Sequence, residues 1–324
     1  MAKKKSRLVF INGNFVKEED AKVSIYDSSL MFGDMVFEMT RSFGKKQFKL
    51  KEHLERLFLG AKILRIPIKY NIKQLEKKCY ETMEKNDQFF KKNDEHRLLI
   101  EVSRGILDIY KTDTKLYKGS NLIIADFPLR WTVQNMGKLF DTGINCVIPS
   151  QRAIPARYLD SKIKNRNRIF YLMANIEASM FTGKNVWPIL LDDQGYISEG
   201  SGDNFFIIKN NTIITPEGRN LLRGISRNYI TNELADQIGI NMIEKNIEPY
   251  DVYSADEAFI SATPFCMLPV VSLNQIKIGN GKVGKVFSRL LNTWSNNVGI
   301  NIKSQIKSWN KNTKLKVSPY VFKK

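Results

Sequence analysis

Apolar and polar positions alternate in short runs at the start of the chain, switch to helical spacing, and repeat that exchange in the second half. Leu8-Val9-Phe10-Ile11 and Asn14-Phe15-Val16 flank Asn12-Gly13, the dipeptide best suited to a two-residue hairpin, so the start reads as a β-meander. Residues 23–27 continue it, and a glycine-containing segment, 30–34, leads into a strand over 36–43 that Gly44-Lys45 turns back into 47–50. Leu54, Leu57, Phe58, Ala61 and Leu64 fall on one helical face, and Pro67 ends that helix. A second helix, lysine-rich on one face, runs from Ile72 to Asn86, followed by strands over 97–105 and 121–125. Between those strands, 106–119 reads as a loop long enough to reach over a site.

The pattern weakens over 128–137, which places a domain boundary there: a small N-terminal α/β domain, 1–131, and a larger domain, 132–324. The second half reads as a strand over 143–149, a helix over 169–183, a strand over 187–191 and a turn at Asp192-Asp193-Gln194-Gly195. A hairpin follows through Asn210-Asn211, then a helix from Gly224 to about Gly239, a strand over 255–263 and a last helix over 281–297. Sheets with flanking helices make the class α+β or α/β, in two layers or more.

Composition narrows this little. The 324 residues are 43% hydrophobic and 11% aromatic, which is globular usage, and no apolar run reaches the length of a membrane span. Met1 to Arg7 is basic but lacks the apolar core of a signal peptide. Cys79, Cys146 and Cys266 are odd in number and far apart, which fits a reducing cytoplasm rather than a disulfide framework or a zinc site. Only His53 and His96 are present, which argues against a multi-histidine metal centre. The net charge of +18 comes from 51 lysines and arginines spread along the chain, with Lys3-Lys4-Lys5 and Lys314, Lys316, Lys323 and Lys324 at the ends. Without a zinc finger, ribonucleoprotein signature or basic zipper beside it, that charge reads as solvated surface rather than a nucleic-acid footprint.

Four places carry candidate chemistry. Gly195-Tyr196-Ile197-Ser198-Glu199-Gly200-Ser201-Gly202-Asp203-Asn204 sets a carboxylate at a strand end beside glycines that let backbone approach a ligand. Lys164 stands where a loop enters a helix, a placement suited to a Schiff-base amine on rigid scaffold. Gly224-Ile225-Ser226 opens a helix, where amides, the helix dipole and a hydroxyl attract an anion. Thr263 at a strand end and Arg56 on the early helix add a hydroxyl and a cation. A lysine, a carboxylate for a pyridinium and several anion donors are the parts a pyridoxal-phosphate site needs, among other assemblies these residues permit.

Six segments, in order, resemble the class IV aminotransferases, the fold type IV pyridoxal-phosphate enzymes. They are Phe32-Gly33-Asp34-Met35-Val36-Phe37-Glu38, His53-Leu54-Glu55-Arg56-Leu57, Ile163-Lys164-Asn165-Arg166-Asn167-Arg168 with Glu177-Ala178, Gly195 through Asn204, Leu222-Arg223-Gly224-Ile225-Ser226-Arg227, and Ala255 through Thr263. The resemblance implies a small α/β domain, a larger domain with a mixed barrel-like sheet and flanking helices, a homodimer, and pyridoxal 5'-phosphate as cofactor. It implies Lys164 as the Schiff-base lysine, chosen over Lys162 by its spacing to Asn167, and Glu199 as the partner of the pyridine nitrogen. Arg56, Gly224, Ile225, Ser226 and Thr263 would hold the phosphate.

Within the family, Phe37-Glu38 followed by Arg41 is most similar to the branched-chain amino-acid enzymes, with Arg97 and Tyr110 on the substrate side. No arginine-x-histidine pair follows Arg104, which argues against a D-amino-acid enzyme. Pro264 departs from the pattern, because proline has no N–H to offer a substrate carboxylate, which would then lean on Arg41 or Arg97. The expected activity is transamination of an aliphatic L-amino acid. A lyase of the aminodeoxychorismate type, an R-selective amine or D-amino-acid transaminase, and a basic nucleic-acid binder are the alternatives.

Overall fold

The computed structural model describes residues 6–110 and 119–309, so the lysine-bearing ends and most of the loop expected over 106–119 lie outside the described residues. Two compact units divide the chain. One runs to Trp131 and takes back Ile163–Asn167; the other comprises Thr132–Lys162 and the chain from Arg168. Lys164, expected in the second half, therefore groups with the first unit.

The first unit is built on a five-stranded antiparallel sheet in the order Asn14–Lys17, Leu8–Ile11, Asn121–Pro128, His96–Ser103, Met35–Met39. Asn12 and Gly13 take positive φ angles of 51° and 98°, as the hairpin dipeptide requires. Two helices, Leu50–Ile63 and Ile72–Asn86, cover one face with Leu54, Leu57, Ala61, Leu75, Cys79 and Met83, packed on Phe10, Leu98, Ile100 and Ile124. Asn71 and Gln74 close a capping box at the start of the second helix.

Two expectations need correction. Residues 23–27 form no strand; Asp27 instead caps a short helix, Ser28–Phe32, by accepting from the Ser29 amide, and Gly33 ends it in the left-handed region. The strand over 36–43 breaks after Met39, and Ser42–Phe43 pairs separately with Lys46–Gln47 across Gly44-Lys45.

The second unit contains a closed sheet. Strands Ile197–Gly200, Val186–Leu191, Ile144–Val147, Cys266–Leu273, Glu257–Ala262 and Asn204–Lys209 follow one another, and Asn204–Lys209 pairs back onto Ile197–Gly200. The seam of this ring is the pairing of Glu199 with Asn204. Thr212–Thr215 and Asn241–Glu244 extend the sheet beyond it. Cys266–Leu273, which the sequence expectations did not include, is buried at every position and carries Pro269 within the strand. The helix from Ile225 continues to Gln237 through a π-helical stretch, Ile230–Leu234.

Candidate active site

In the first unit, Ile163–Asn167 lies along the open edge of strand Met35–Met39. The Phe37 amide donates to the Lys164 carbonyl at 3.0 Å, and Val36 bridges to Asn165. Buried Ile163 anchors the segment in the core, and Asn165 Nδ2 donates to the Ile163 carbonyl at 3.0 Å. Lys164 is half-buried, with Nζ 4.9 Å from the centre of the Phe37 ring, and the Arg166 guanidinium lies 3.7 Å from the same ring while pairing with Glu101 at 2.6 Å. Lys162, two residues earlier, belongs to the other unit and is tied to Asp160 at 2.8 Å.

Strand alternation sends Glu38 to the opposite side from Phe37. Its buried carboxylate accepts from Arg56 Nε at 2.6 Å and Nη2 at 2.8 Å, and meets His53 Nδ1 at 2.7 Å. Burial works to raise the Glu38 pKa, but the charges of Arg56 and His53 outweigh it and bring it down to about 2. Burial holds His53 below its ordinary value, against the pull of Glu38 and with help from Arg56 and Lys164. Arg56 is thus fixed by a fork that leaves little freedom of aim.

Arg41 and Arg97 are 1% and 8% exposed. Among the described residues, Arg97 Nε and Nη1 are buried without a hydrogen-bond partner, while Nη2 lies 3.5 Å from Met39 Sδ. Burial, then the like charge of Arg41, lowers the Arg97 pKa to about 10. N–H groups of Arg97 that lack a partner among the described residues, with Arg41 as a second buried cation, are suited to an anion. Tyr110 lies in the short helical turn Asp108–Tyr110 and stacks on Tyr26 at 5.6 Å.

In the second unit, Glu199 is 4% exposed at the barrel seam. Its Oε2 accepts from Asn204 Nδ2 at 3.2 Å and from the Leu222 amide at 3.1 Å, and Oε1 accepts from the Tyr171 hydroxyl. Asn204 also donates to the Leu222 carbonyl at 2.9 Å, linking the glutamate to the turn before Gly224-Ile225-Ser226. A Cβ on Gly224 would collide with Asn204 Oδ1, so only glycine lets the helix begin this close to the seam. Ser226 is buried and Ile225 half-buried in the first helical turn. Glu199, Asn204 and Ser261 stand in register across three strands, and Thr263 follows in the three-residue turn that joins Glu257–Ala262 to Cys266–Leu273. The strand expected to reach Thr263 ends one residue short; Thr263 and Pro264 are half-buried in the turn itself.

The Amino-transferase class IV family model matches residues 35–273. The chain belongs to the class IV aminotransferases. This aminotransferase is 34% identical to a putative branched-chain-amino-acid aminotransferase of Methanocaldococcus jannaschii, over 87% of the chain and 93% of that protein. The crystal structure of the Escherichia coli branched-chain amino acid aminotransferase superposes with a TM-score of 0.80 at 29% identity, covering 90% of this chain and 94% of that one. The T.th. branched-chain amino acid aminotransferase solved with pyridoxamine 5'-phosphate gives a TM-score of 0.80 at 26% identity, over 94% and 98% of the two chains. The closed sheet of the second unit agrees with the fold type IV architecture that the sequence resemblance implied.

The residues of the aminotransferase fit pyridoxal phosphate: a buried, firmly held carboxylate suits a protonated ring nitrogen, and a glycine-started helix with a buried serine suits a phosphate. Sequence reading missed Tyr171, Asn204 and Asp203 at Glu199. Asn204 was within reach, five residues along the same motif; Tyr171 lies 28 residues away and carries no local signal. Among the described residues, no cluster of side chains could hold a metal ion and no helix is long and apolar enough to cross a membrane.

Proposed function

We propose that the aminotransferase moves the amino group of an aliphatic, branched-chain L-amino acid to a 2-oxo acid with pyridoxal 5'-phosphate. The observation that carries this reading is the buried Glu199, whose two oxygens are held by Tyr171, Asn204 and the Leu222 amide. Relatives of matching length are named branched-chain-amino-acid aminotransferases, which supports the substrate class.

When bound, the cofactor supplies an aldehyde that captures the substrate nitrogen and a cationic ring that draws electrons from the Cα–H bond. Lys164 is the residue that carries the cofactor at rest and moves the proton from the substrate Cα. Glu199 keeps the ring nitrogen protonated. Arg56, the amides of Gly224, Ile225 and Ser226, and the hydroxyls of Ser226 and Thr263 hold the phosphate. Phe37 offers an apolar wall to the substrate side chain, together with Tyr110. Arg41 and Arg97 take a carboxylate, a duty Pro264 cannot share through an N–H.

The protein acts as a homodimer in this reading. Ile25, Leu30 and Phe32 are 74%, 63% and 62% exposed within one short stretch, an apolar surface that a second copy would cover.

A panel of amino donors with 2-oxoglutarate or pyruvate tests the reaction. Leucine, isoleucine and valine should turn over, and Lys164→Ala should lose both turnover and the borohydride-fixable cofactor. A colourless protein that binds no cofactor sinks the reading. Pyruvate release from aminodeoxychorismate, with silence across the donors, replaces it with the lyase.

A further inference from the structure

The helix Ile169–Ala178 and the residue that precedes it reach the Glu199 turn with three side chains. Arg168 Nη2 donates to the Ser201 carbonyl at 2.6 Å, Tyr171 donates to Glu199 Oε1, and Asn175 Oδ1 accepts from Ser201 Oγ at 3.3 Å. Positions 168, 171 and 175 share one helical face, so this face is a brace for the seam of the barrel. The central contact is the unusual one. Tyr171 is 7% exposed and Glu199 4%, so the phenol and the carboxylate meet out of water. Burial first, then the charge of Glu199, pushes the phenol pKa well above its ordinary value, which keeps Tyr171 a donor. The ring is packed by Phe170 at 4.0 Å between ring centres and by the Arg168 guanidinium at 4.4 Å.

We propose that Tyr171 is a positioning residue for the reaction: acting through Glu199, its phenol sets how strongly that carboxylate competes for the proton of the cofactor's ring nitrogen. The proposal rests on the reading above, in which Glu199 partners that nitrogen. A hydrogen bond donated to a carboxylate favours its charged form and weakens it as a base. With the phenol in place, the proton stays on the ring and the ring stays cationic. Without it, Glu199 becomes the stronger base and draws the proton away. The ring then carries less positive charge, and the neighbouring ionisation on the bound cofactor, read from its visible absorption, moves up in pH.

The test is a spectroscopic pH titration of the holoenzyme and of Tyr171→Phe, which keeps the ring packing and removes only the hydroxyl. The absorption midpoint should rise by about one pH unit, the scale of one hydrogen bond to a charged group. The cofactor should remain bound, and kcat should fall ~10-fold with KM for the amino donor little changed. In the Glu199→Gln background the same substitution should move nothing further, because its route is gone. A midpoint that stays put in Tyr171→Phe, or one that shifts equally in both backgrounds, overturns the proposal. Should Tyr171→Phe not fold, 3-fluorotyrosine placed at position 171 alone keeps the hydroxyl, donates more strongly and should move the midpoint down; no movement overturns the proposal by that route. A wild-type protein without a cofactor band, or a Glu199→Gln variant that titrates like wild type, fails the parent reading instead.

Discussion

Asp203→Asn should make this aminotransferase more stable at neutral and alkaline pH. Asp203 is 7% exposed, its Oδ1 is buried without a hydrogen-bond partner among the described residues, and Gly200 has no Cβ where the carboxylate lies. Burial, then the negative charge of Glu199, pushes its pKa from 3.8 to about 8, against the Gly202 amide and Arg168. The folded protein therefore keeps a proton on Asp203 that the unfolded chain gives up. The folded pKa is the higher one, so the contribution of this group is full below pH 3.8 and is lost as pH rises towards about 8. At about 1.4 kcal/mol per pH unit, the loss by pH 7 is about 4 kcal/mol at most. Local rearrangement and water entry trim such penalties, leaving ~2 kcal/mol to expect. Asparagine keeps the shape and cannot ionise. Urea unfolding at pH 5, 6.5 and 8, with cofactor saturating, should show the variant gaining on wild type by ~2 kcal/mol from the lowest to the highest pH. Parallel stability curves across that range would refute the argument, since they would mean that Asp203 titrates alike in the folded and unfolded chains.

Glu38→Gln acts in the opposite sense. The Glu38 pKa is held at about 2 against an ordinary 4.5, so its contribution is present above pH 4.5 and lost as pH falls towards 2. Urea unfolding at pH 7 should show a loss of about 3 kcal/mol, and cofactor affinity should fall as Arg56 loses its fork; unchanged stability counts against the ion pair. Gly224→Ala drives a methyl group into Asn204 Oδ1 and dislodges the amide from Glu199 and Leu222. Cofactor binding measured by dialysis should weaken ~10-fold, and an unaltered Kd would remove Asn204 from the account. His96 sits between Asp126 at 2.9 Å and Asp87 at 3.2 Å; burial lowers its pKa, but the two carboxylates outweigh burial and raise it above 6.5. Its stabilising share is therefore full below pH 6.5 and lost as pH rises through the raised value, so His96→Asn should flatten the fall of the unfolding midpoint between pH 6 and 8. A variant that tracks wild type over that range assigns the slope elsewhere.

Local chemistry made the first unit readable from the residues. Asn12-Gly13 and Gly44-Lys45 each take the positive φ that a tight hairpin demands, as Asn210-Asn211 does in the second unit, and the apolar period fixes the helix over Ile72–Asn86. The barrel was less legible, because its closure depends on one long-range pairing and on Cys266–Leu273, a fully buried strand whose apolar run has no alternation to betray it. The break at Thr40 was hidden for a similar reason: Arg41 reads as a polar position on a strand, yet the fold buries it over the Phe43 ring at 3.7 Å.

The glycines of the Glu199 motif show where sequence reasoning reached the right residues for an incomplete reason. They suggested backbone kept bare so that a ligand could come close. At Gly200 the space of the missing Cβ is taken by the carboxylate of Asp203, three residues along the same turn, and at Gly224 it is taken by the amide of Asn204. Among the described residues nothing approaches the Cβ positions of Gly195 and Gly202, so those two motif glycines leave room unfilled by the chain. Gly200 in the motif, and Gly224 at the start of the Ile225 helix, therefore make room for the motif's own polar side chains. Asp203 folds back on Gly200, Asn204 reaches past Gly224 to Glu199 and Leu222, and Tyr171 closes the other side of the carboxylate. What the motif specifies is a carboxylate held in place before any cofactor arrives. A preorganised acceptor of that kind need not reorganise when a cationic ring binds. By that logic, loosening Gly200 or Gly224 should harm cofactor binding through Glu199, even where the substituted methyl group never touches the cofactor.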